Sequence, residues 1–301
     1  MRKDAAAAGG QAGRPADDAL SGIALICIAV LLFSCLNAAA KFLSADYATL
    51  QIVWARFVGS LAFMLVLFAP RRGLRLFAAR RPGMQLLRAL LGVAGSAFYF
   101  QGLAYIPLST AAAISFTSPM MIAALSGPLL GERVGPVRWT MVVIGFLGAM
   151  LVIRPGAEGG APWAALWIVG STSCMVLYQI LTRRMVGEDD AVTTAAWTTL
   201  VGAAVVSVAS PFVWTPPAGT LDWGLFLLLG VLAGAGHLYL TRAYERAPAS
   251  VISPFNYGQL LGATAFGYLL FGDFPDGWTW AGSAVIVGCG LFLARYEAQR
   301  R

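Results

Sequence analysis

Two polar pairs lie within apolar segments that resemble each other in the two halves of this 301-residue chain. Ser115 and Ser118 form the first pair, and Asn256 and Gln259 form the second, 141 positions later. An i, i+3 spacing places both members of a pair on one face of a helix. Hydroxyl and amide groups at such positions can hold a small ligand by directional hydrogen bonds. We therefore predict that these four residues contact a substrate.

The segments that carry the pairs are Pro107–Glu132 and Pro248–Asp273, which align without a gap at low identity. Each contains an internal proline, Pro119 in the first and Pro254 in the second. Because proline lacks an amide hydrogen, it breaks or bends a helix and allows movement there. Interrupted helices at matching positions of two halves are the best sequence indication of a transport site.

Arg56 is a charge inside an apolar run, about 12 Å from the nearer end at 1.5 Å per residue. A charge at that depth requires a partner or water. Two interpretations stay open: Arg56 attracts a substrate carboxylate, or it braces the bundle by binding carbonyl groups. Asn37, one helical turn before Lys41, is a further candidate ligand contact.

The remaining candidates are one histidine and several aromatic residues. His237 could relay protons, since the reference pKa of histidine lies near neutrality, or it could be a hydrogen-bonded core residue. Phe98, Tyr99 and Tyr178 offer aromatic surface for an amphipathic ligand, and core packing is the competing explanation. Buried tyrosines are expected to face the bundle interior, where the hydroxyl finds a partner.

The sequence lacks the residues that several classes of chemistry require. All 14 acidic residues lie in tails, connections or helix ends, so no carboxylate is available in mid-span for binding a cation. One histidine and four scattered cysteines give no metal-ligand spacing, and no nucleotide-binding loop is present. We predict a protein that is not an enzyme, with no catalytic residues, metal or cofactor.

The composition indicates an integral membrane protein of the all-α class. Hydrophobic residues make up 58% of the chain and charged residues only 12%, with a mean hydropathy of +0.73. The net charge of +7 is explained by basic connections between spans and not by a nucleic-acid partner. A transmembrane helix needs about 20 apolar residues. Ten runs qualify: 20–42, 48–69, 84–105, 108–130, 136–153, 162–181, 192–213, 221–241, 249–271 and 278–295.

Arginines concentrate in alternate connections, and the positive-inside rule then places both termini in the cytoplasm. Residues 1–19 are predicted to form a disordered cytoplasmic tail. Residues 20–155 and 161–296 are predicted to be two five-helix repeats, which must cross the membrane in opposite senses because each has an odd number of helices. Inverted repeats are typical of alternating-access carriers with a midplane site.

Three motifs resemble the drug/metabolite transporter superfamily in its EamA-type ten-helix branch. These are Trp54-Ala-Arg56-Phe57, Ala104-Tyr105 with Pro107, and Gly131-Glu132-Arg133, with Gly272-Asp273-Phe274 as the divergent second copy of the last. The resemblance covers about residues 20–296, and it implies the ten-helix fold and metabolite transport. The first helix with Asn37 and Lys41, together with the aromatic interior, is most similar to bacterial aromatic amino acid exporters.

The function expected from these features is secondary transport across the bacterial inner membrane. We expect export of a small amphipathic metabolite, an aromatic or other neutral amino acid, by a monomer in the bilayer. The alternative is an importer or exporter of a different metabolite on the same fold. Two alternative functions come from other classes of protein. A membrane-embedded enzyme acting on lipid intermediates would need a cluster of reactive side chains. A structural or sensory membrane subunit would need no inverted repeat.

Overall fold

The computed structural model describes residues 15–130, 135–154, 162–185, 188–247 and 253–299. These ranges contain helices, turns and bends and no strand, which confirms the all-α class for the described chain. Three short 3₁₀ helices cover Gly73–Phe77, Ser210–Phe212 and Ser253–Tyr257. The α-helices are α1 Pro15–Leu43, α2 Thr49–Arg72, α3 Pro82–Leu103, α4 Leu108–Ser115, α5 Ser118–Leu130, α6 Pro136–Ile153, α7 Pro162–Arg184, α8 Ala191–Ala209, α9 Thr220–Arg246, α10 Gly258–Phe271 and α11 Gly277–Ala298.

Nine helical segments in the described ranges are long and apolar enough to cross a membrane. The ninth predicted run, 249–271, is not among these nine segments: a 3₁₀ helix over Ser253–Tyr257, which contains Pro254, precedes the 14-residue α10. Residues 248–252 lie outside the described ranges, as do Gly131 and Glu132 of the first repeated segment. Helix α1 begins at Pro15, within the predicted tail, and residues 1–14 are outside the described ranges.

The first repeated segment is broken between α4 and α5. Helix α4 ends at Ser115, and the amide of Phe116 donates to the carbonyls of Ala112 and Ala113. Helix α5 then starts at Ser118, so Pro119 occupies its first turn, where a missing amide hydrogen costs nothing. The predicted interruption is therefore present, and it lies just before the proline.

Helix packing is the same when the two halves are exchanged. The helices α1, α2 and α3 of the first half correspond to α7, α8 and α9 of the second. The contact between α1 and α9 has its counterpart in the contact between α7 and α3, and the contact between α2 and α9 has its counterpart in the contact between α8 and α3. The matching helices α2 and α8 contact each other, as do α6 and α11, and α4 contacts α10. This pattern is that of two structural repeats related by an approximate two-fold axis.

Glycine permits the closest of these crossings. A Cβ built on Gly230 of α9 would lie 2.3 Å from the Cα of Gly59 in α2, and one on Gly59 would lie 2.7 Å from the Cα of Gly230. The hydroxyl of Ser60 donates to the carbonyl of Gly230 at 3.2 Å. Small residues let membrane helices approach until their backbones touch. The crossing fixes α2 and α9, which carry Arg56 and His237.

Candidate functional site

Three candidate residues lie on the inner helices of the bundle. Arg56 and Tyr99 are half-buried, and His237 is exposed although protein atoms surround all three side chains. Because these side chains are surrounded by protein and still accessible to water, we infer a cavity between α1, α2, α3 and α9, which we call the central cavity. The structure thus brings together three residues that the sequence placed on α2, α3 and α9.

Arg56 has a hydrogen bond and two aromatic contacts, but no ion-pair partner among the described residues. Its Nη1 donates to Ser96 Oγ at 2.5 Å, and its guanidinium carbon lies 5.3 Å from the ring centre of Phe57 and 5.6 Å from that of Phe100. No carboxylate of the described residues is within ion-pair distance of Arg56. The contact to Ser96 braces α2 against α3, while the charge itself has no protein counter-ion in the described chain.

Arg88 is a second buried cation, which the sequence reasoning did not single out. It is 1% exposed, and it donates to Gln85 Oε1 at 3.1 Å, to Thr198 Oγ1 at 2.7 Å and to the carbonyl of Thr194 at 2.5 Å. Its guanidinium lies 4.6 Å from the ring centre of Tyr178, and its Nη1 is buried without a hydrogen bond in the described structure. Its position inside an apolar run was the signal that could have identified it.

Polar and aromatic groups line the same interior. Asn37 Nδ2 donates to Tyr99 Oη at 3.4 Å, which joins α1 to α3. The ring of His237 packs edge-on against Phe33 of α1, with 5.1 Å between ring centres. Asn37 of α1 therefore faces α3, and His237 of α9 faces α1. Both side chains can offer hydrogen bonds to a ligand inside the bundle.

Phe98 has a packing role in this conformation. Its ring lies 5.4 Å from that of Trp167, and it covers Gly170, where an added Cβ would meet it at 3.2 Å. Both partners are on α7, so Phe98 fills the contact between α3 and α7.

The two polar pairs lie near the helix breaks of the two repeated segments, but their side chains form different hydrogen bonds. Ser115 donates its hydroxyl to a carbonyl one turn earlier in α4, at 2.9 Å. Asn256 Nδ2 donates to Tyr244 Oη at 3.4 Å. Ser118 and Gln259 are half-buried, and neither forms a side-chain hydrogen bond with another described residue. The free amide of Gln259 and hydroxyl of Ser118 are thus available to a ligand.

The two breaks meet at an aromatic contact that the sequence did not predict. Phe116, between Ser115 and Ser118, lies 4.8 Å from the ring of Tyr257, between Asn256 and Gln259. The two residues are separated by 141 positions, the offset of the repeat, so they are a symmetry-related pair. Gly290 of α11 makes room for Tyr257, because a Cβ there would lie 1.7 Å from its hydroxyl.

Lys41 closes one end of the bundle. Its Nζ donates to the carbonyl of Ile106 at 2.8 Å and forms an ion pair with Asp273 Oδ2 at 3.2 Å. Phe271 covers the ammonium at 5.2 Å. The Asp273 carboxylate therefore ties the end of α10 to the end of α1.

Comparison with known proteins then decides the family. A model of the EamA-like transporter family matches residues 20–154 and again residues 162–296. The chain belongs to the EamA-like transporter family. The double match confirms the two-repeat architecture and the resemblance to the drug/metabolite transporter superfamily, and it makes the chain a multi-pass membrane transporter.

Three relatives of this family member span almost the whole chain. A riboflavin transporter of Rhizobium johnstonii is 32% identical over 94% of this chain and 93% of its own length. An S-adenosylmethionine uptake transporter of Rickettsia felis is 26% identical, covering 92% and 94%, and the pseudopaline exporter CntI of Pseudomonas aeruginosa is 27% identical, covering 91% and 96%. These relatives are named as transporters of metabolites, and none of the three is named as an amino acid exporter.

A crystal structure of another protein has the same fold. It superposes with a TM-score of 0.65 at 21% identity, and the match covers 93% of this chain and 99% of that chain.

Proposed function

We propose that this EamA-family protein is a secondary carrier for a flat aromatic metabolite of the riboflavin kind, moved by alternating access through the central cavity. In this proposal it is a monomer in a bacterial inner membrane, both termini are cytoplasmic, and the segment 249–271, which ends with α10, is the ninth of ten spans. The observation that carries the proposal is the lining of the cavity by aromatic rings and neutral polar groups, in a chain 32% identical to a riboflavin transporter.

The ring contacts suit a heteroaromatic ligand. Tyr99, Phe33 and His237 supply aromatic faces, and Asn37 and His237 supply groups that can hydrogen-bond to ring carbonyls and nitrogens. Aromatic rings stack or pack edge-to-face, with centroids about 4.5–7 Å apart. A flat ligand can therefore replace or extend the protein's own ring contacts with little loss of geometry.

The interior charge selects against cations. Arg56 and Arg88 are both inside the bundle, and no described carboxylate pairs with either. A charge in a low-dielectric interior repels a like charge far more strongly than it does in water. S-adenosylmethionine carries a net positive charge, because its sulfonium and ammonium groups outnumber its one carboxylate, so the interior favours a neutral or anionic ligand over it.

The broken helices supply the moving part in this proposal. Ser118 and Gln259 would hydrogen-bond the ligand from the two repeats, with Ser115 and Asn256 beside them, while Pro119 and Pro254 allow the segments to bend. Phe98 and Tyr178 would contribute apolar surface at the contact of α3 with α7.

Export of an aromatic amino acid is the narrower expectation from sequence, and a different metabolite on the same fold now has more support. The three named relatives handle riboflavin, S-adenosylmethionine and pseudopaline.

The experiment is uptake into proteoliposomes of four labelled solutes: riboflavin, phenylalanine, threonine and S-adenosylmethionine. We expect riboflavin to enter, phenylalanine and threonine to enter at least tenfold more slowly, and S-adenosylmethionine to remain outside. Flux of an amino acid without riboflavin would refute the proposed substrate class.

The same assay tests the site. Gln259→Ala should raise the riboflavin KM, since a lost hydrogen bond is worth about 1 kcal/mol, or roughly fivefold. Leu261→Ala is the matched control, because Leu261 is two positions along α10, on the opposite face, and 67% exposed. Equal effects of the two variants would contradict the assignment of Gln259.

A further inference from the structure

A surface pocket of about 530 Å³ lies where the C-terminal end of α2 meets the N-terminal end of α8. Its lining residues are Arg71, Arg72, Arg75, Asp190 and Thr193, and we call it the arginine pocket. Arg71 is separated from Arg56 by four turns of α2, about 22 Å at 1.5 Å per residue. The arginine pocket is therefore distinct from the central cavity.

The fold holds the arginine pocket in shape. Gly73 turns the chain with φ +55°, a conformation that favours glycine, and the 3₁₀ helix Gly73–Phe77 follows. Leu76 is fully buried, and the carbonyl of Phe77 accepts a hydrogen bond from Trp197 Nε1 at 3.0 Å. These contacts anchor the turn to α8, so Arg75 is held beside it.

One arginine of the pocket is neutralised within the protein. Asp190 caps α8 by accepting the Thr193 amide at 2.6 Å, and it also pairs with Arg72. Burial raises the pKa of Asp190, but the hydrogen bonds from Thr193 and the charge of Arg72 outweigh burial and hold that pKa below its usual range. The carboxylate therefore stays ionised, and it neutralises the charge of Arg72 in their ion pair.

The other two arginines keep their charge. Arg71 and Arg75 are exposed, and neither has a carboxylate partner among the described residues. The neighbouring Asp189 directs both carboxylate oxygens to other groups, since it accepts from the Arg80 amide and from Gln85, both at 2.9 Å. The arginine pocket thus presents two unpaired guanidinium groups, a donor set that matches phosphate oxygens.

The surroundings of the arginine pocket are apolar. Leu74, between Arg72 and Arg75, is 89% exposed, and Val66 and Leu67 on α2 are 75% and 42% exposed. Apolar side chains exposed beside arginines are typical of a membrane interface, where one end of a ligand is charged and the other is hydrocarbon.

We propose that the arginine pocket binds the phosphate of an anionic phospholipid, with Arg71 and Arg75 as its donors and the acyl chains against Val66, Leu67 and Leu74. Basic pockets at the ends of transmembrane helices recognise anionic headgroups in this way. The helix C-terminus and membrane topology also favour basic residues, but neither effect requires a pocket or an exposed leucine in the turn.

The test measures lipid retention by the full-length protein with native mass spectrometry, after reconstitution in equal amounts of phosphatidylglycerol and phosphatidylcholine. The pocket variant is Arg71→Gln with Arg75→Gln. The control is Arg242→Gln with Arg246→Gln, which removes the same charge from two exposed arginines at the end of α9. We expect phosphatidylglycerol retention to fall about thirtyfold in the pocket variant, at about five- to sixfold per arginine, and to stay unchanged in the control.

Equal loss in both double variants would overturn the proposal, because it would show general attraction to an anionic surface. A second arm adds glycerol phosphate: displacement of the lipid at equimolar concentration would show a site for soluble phosphate and would also overturn the proposal. Leu74→Gln, which leaves every charge in place, should weaken lipid retention and leave glycerol phosphate binding unchanged. Unchanged lipid retention in Leu74→Gln would contradict the acyl-chain contact.

Discussion

The contact between Gly230 and Gly59 should be the position least tolerant of a single added methyl group. In Gly230→Ala the new Cβ would lie 2.3 Å from the Cα of Gly59, 2.5 Å from its carbonyl carbon and 3.0 Å from the amide nitrogen of Ser60. Carbon atoms pack at about 3.5–4.0 Å, so α2 and α9 must separate by about 1 Å. The opposing atoms belong to backbone, which cannot rotate away.

Overpacking of this kind costs about 1–3 kcal/mol. At about 2–4 °C per kcal/mol for a chain of this size class, we expect the melting temperature in detergent to fall by about 2–12 °C. Because the crossing positions Arg56 and His237, we also expect slower riboflavin flux at saturating substrate.

Gly224 provides the matched control on the same helix. A Cβ there would meet nothing within 4 Å, and alanine favours a helix over glycine by about 1 kcal/mol. Gly224→Ala should therefore leave the melting temperature unchanged or raise it. A Gly230→Ala protein as stable as the parent would refute the reasoning, as would an equal loss in Gly224→Ala.

Three further predictions concern the cavity and its ends. Lys41→Asp and Asp273→Lys should each reduce riboflavin flux, and the double variant should recover part of that flux. A double-mutant cycle should give a coupling energy between the two residues of about 0.5–1 kcal/mol. Additive losses of flux would show that the ion pair has no role. Tyr257→Phe should keep riboflavin affinity, because the ring contact to Phe116 remains, whereas Tyr257→Ala should raise KM by threefold or more; equal KM values would exclude the aromatic contact from ligand binding. Arg56→Gln should increase S-adenosylmethionine uptake relative to riboflavin, and Arg56→Lys should not; an unchanged ratio in Arg56→Gln would show that interior charge does not select the substrate.

Local and repeated signals of the sequence predicted much of the fold. Run lengths and composition gave the membrane helices, and the alignment of Ser115 with Asn256 and of Ser118 with Gln259 located the breaks. Arg56 was found because a charge inside an apolar run is conspicuous. Arg88 carries the same signal, although it lies nearer the end of its run.

Contacts between distant residues had no such signal. Lys41 and Asp273 are 232 positions apart, and neither residue type indicates its partner. Phe116 and Tyr257 are ordinary in apolar segments, so only the structure shows that their rings meet where the repeats cross. Pro254 indicated an interruption in the ninth run, but hydropathy does not distinguish a 3₁₀ turn from an α-helical one, so the 3₁₀ form of that interruption had no signal.

Counterflow of riboflavin tests the central claim most directly. Proteoliposomes containing the purified full-length protein are loaded with unlabelled riboflavin and diluted into a trace of labelled riboflavin. A single alternating-access cavity predicts that label accumulates transiently above its external concentration, that Gln259→Ala reduces this overshoot, and that preloaded phenylalanine does not support it. Label entry equal to that of protein-free liposomes, or an overshoot driven by phenylalanine instead, would contradict the account.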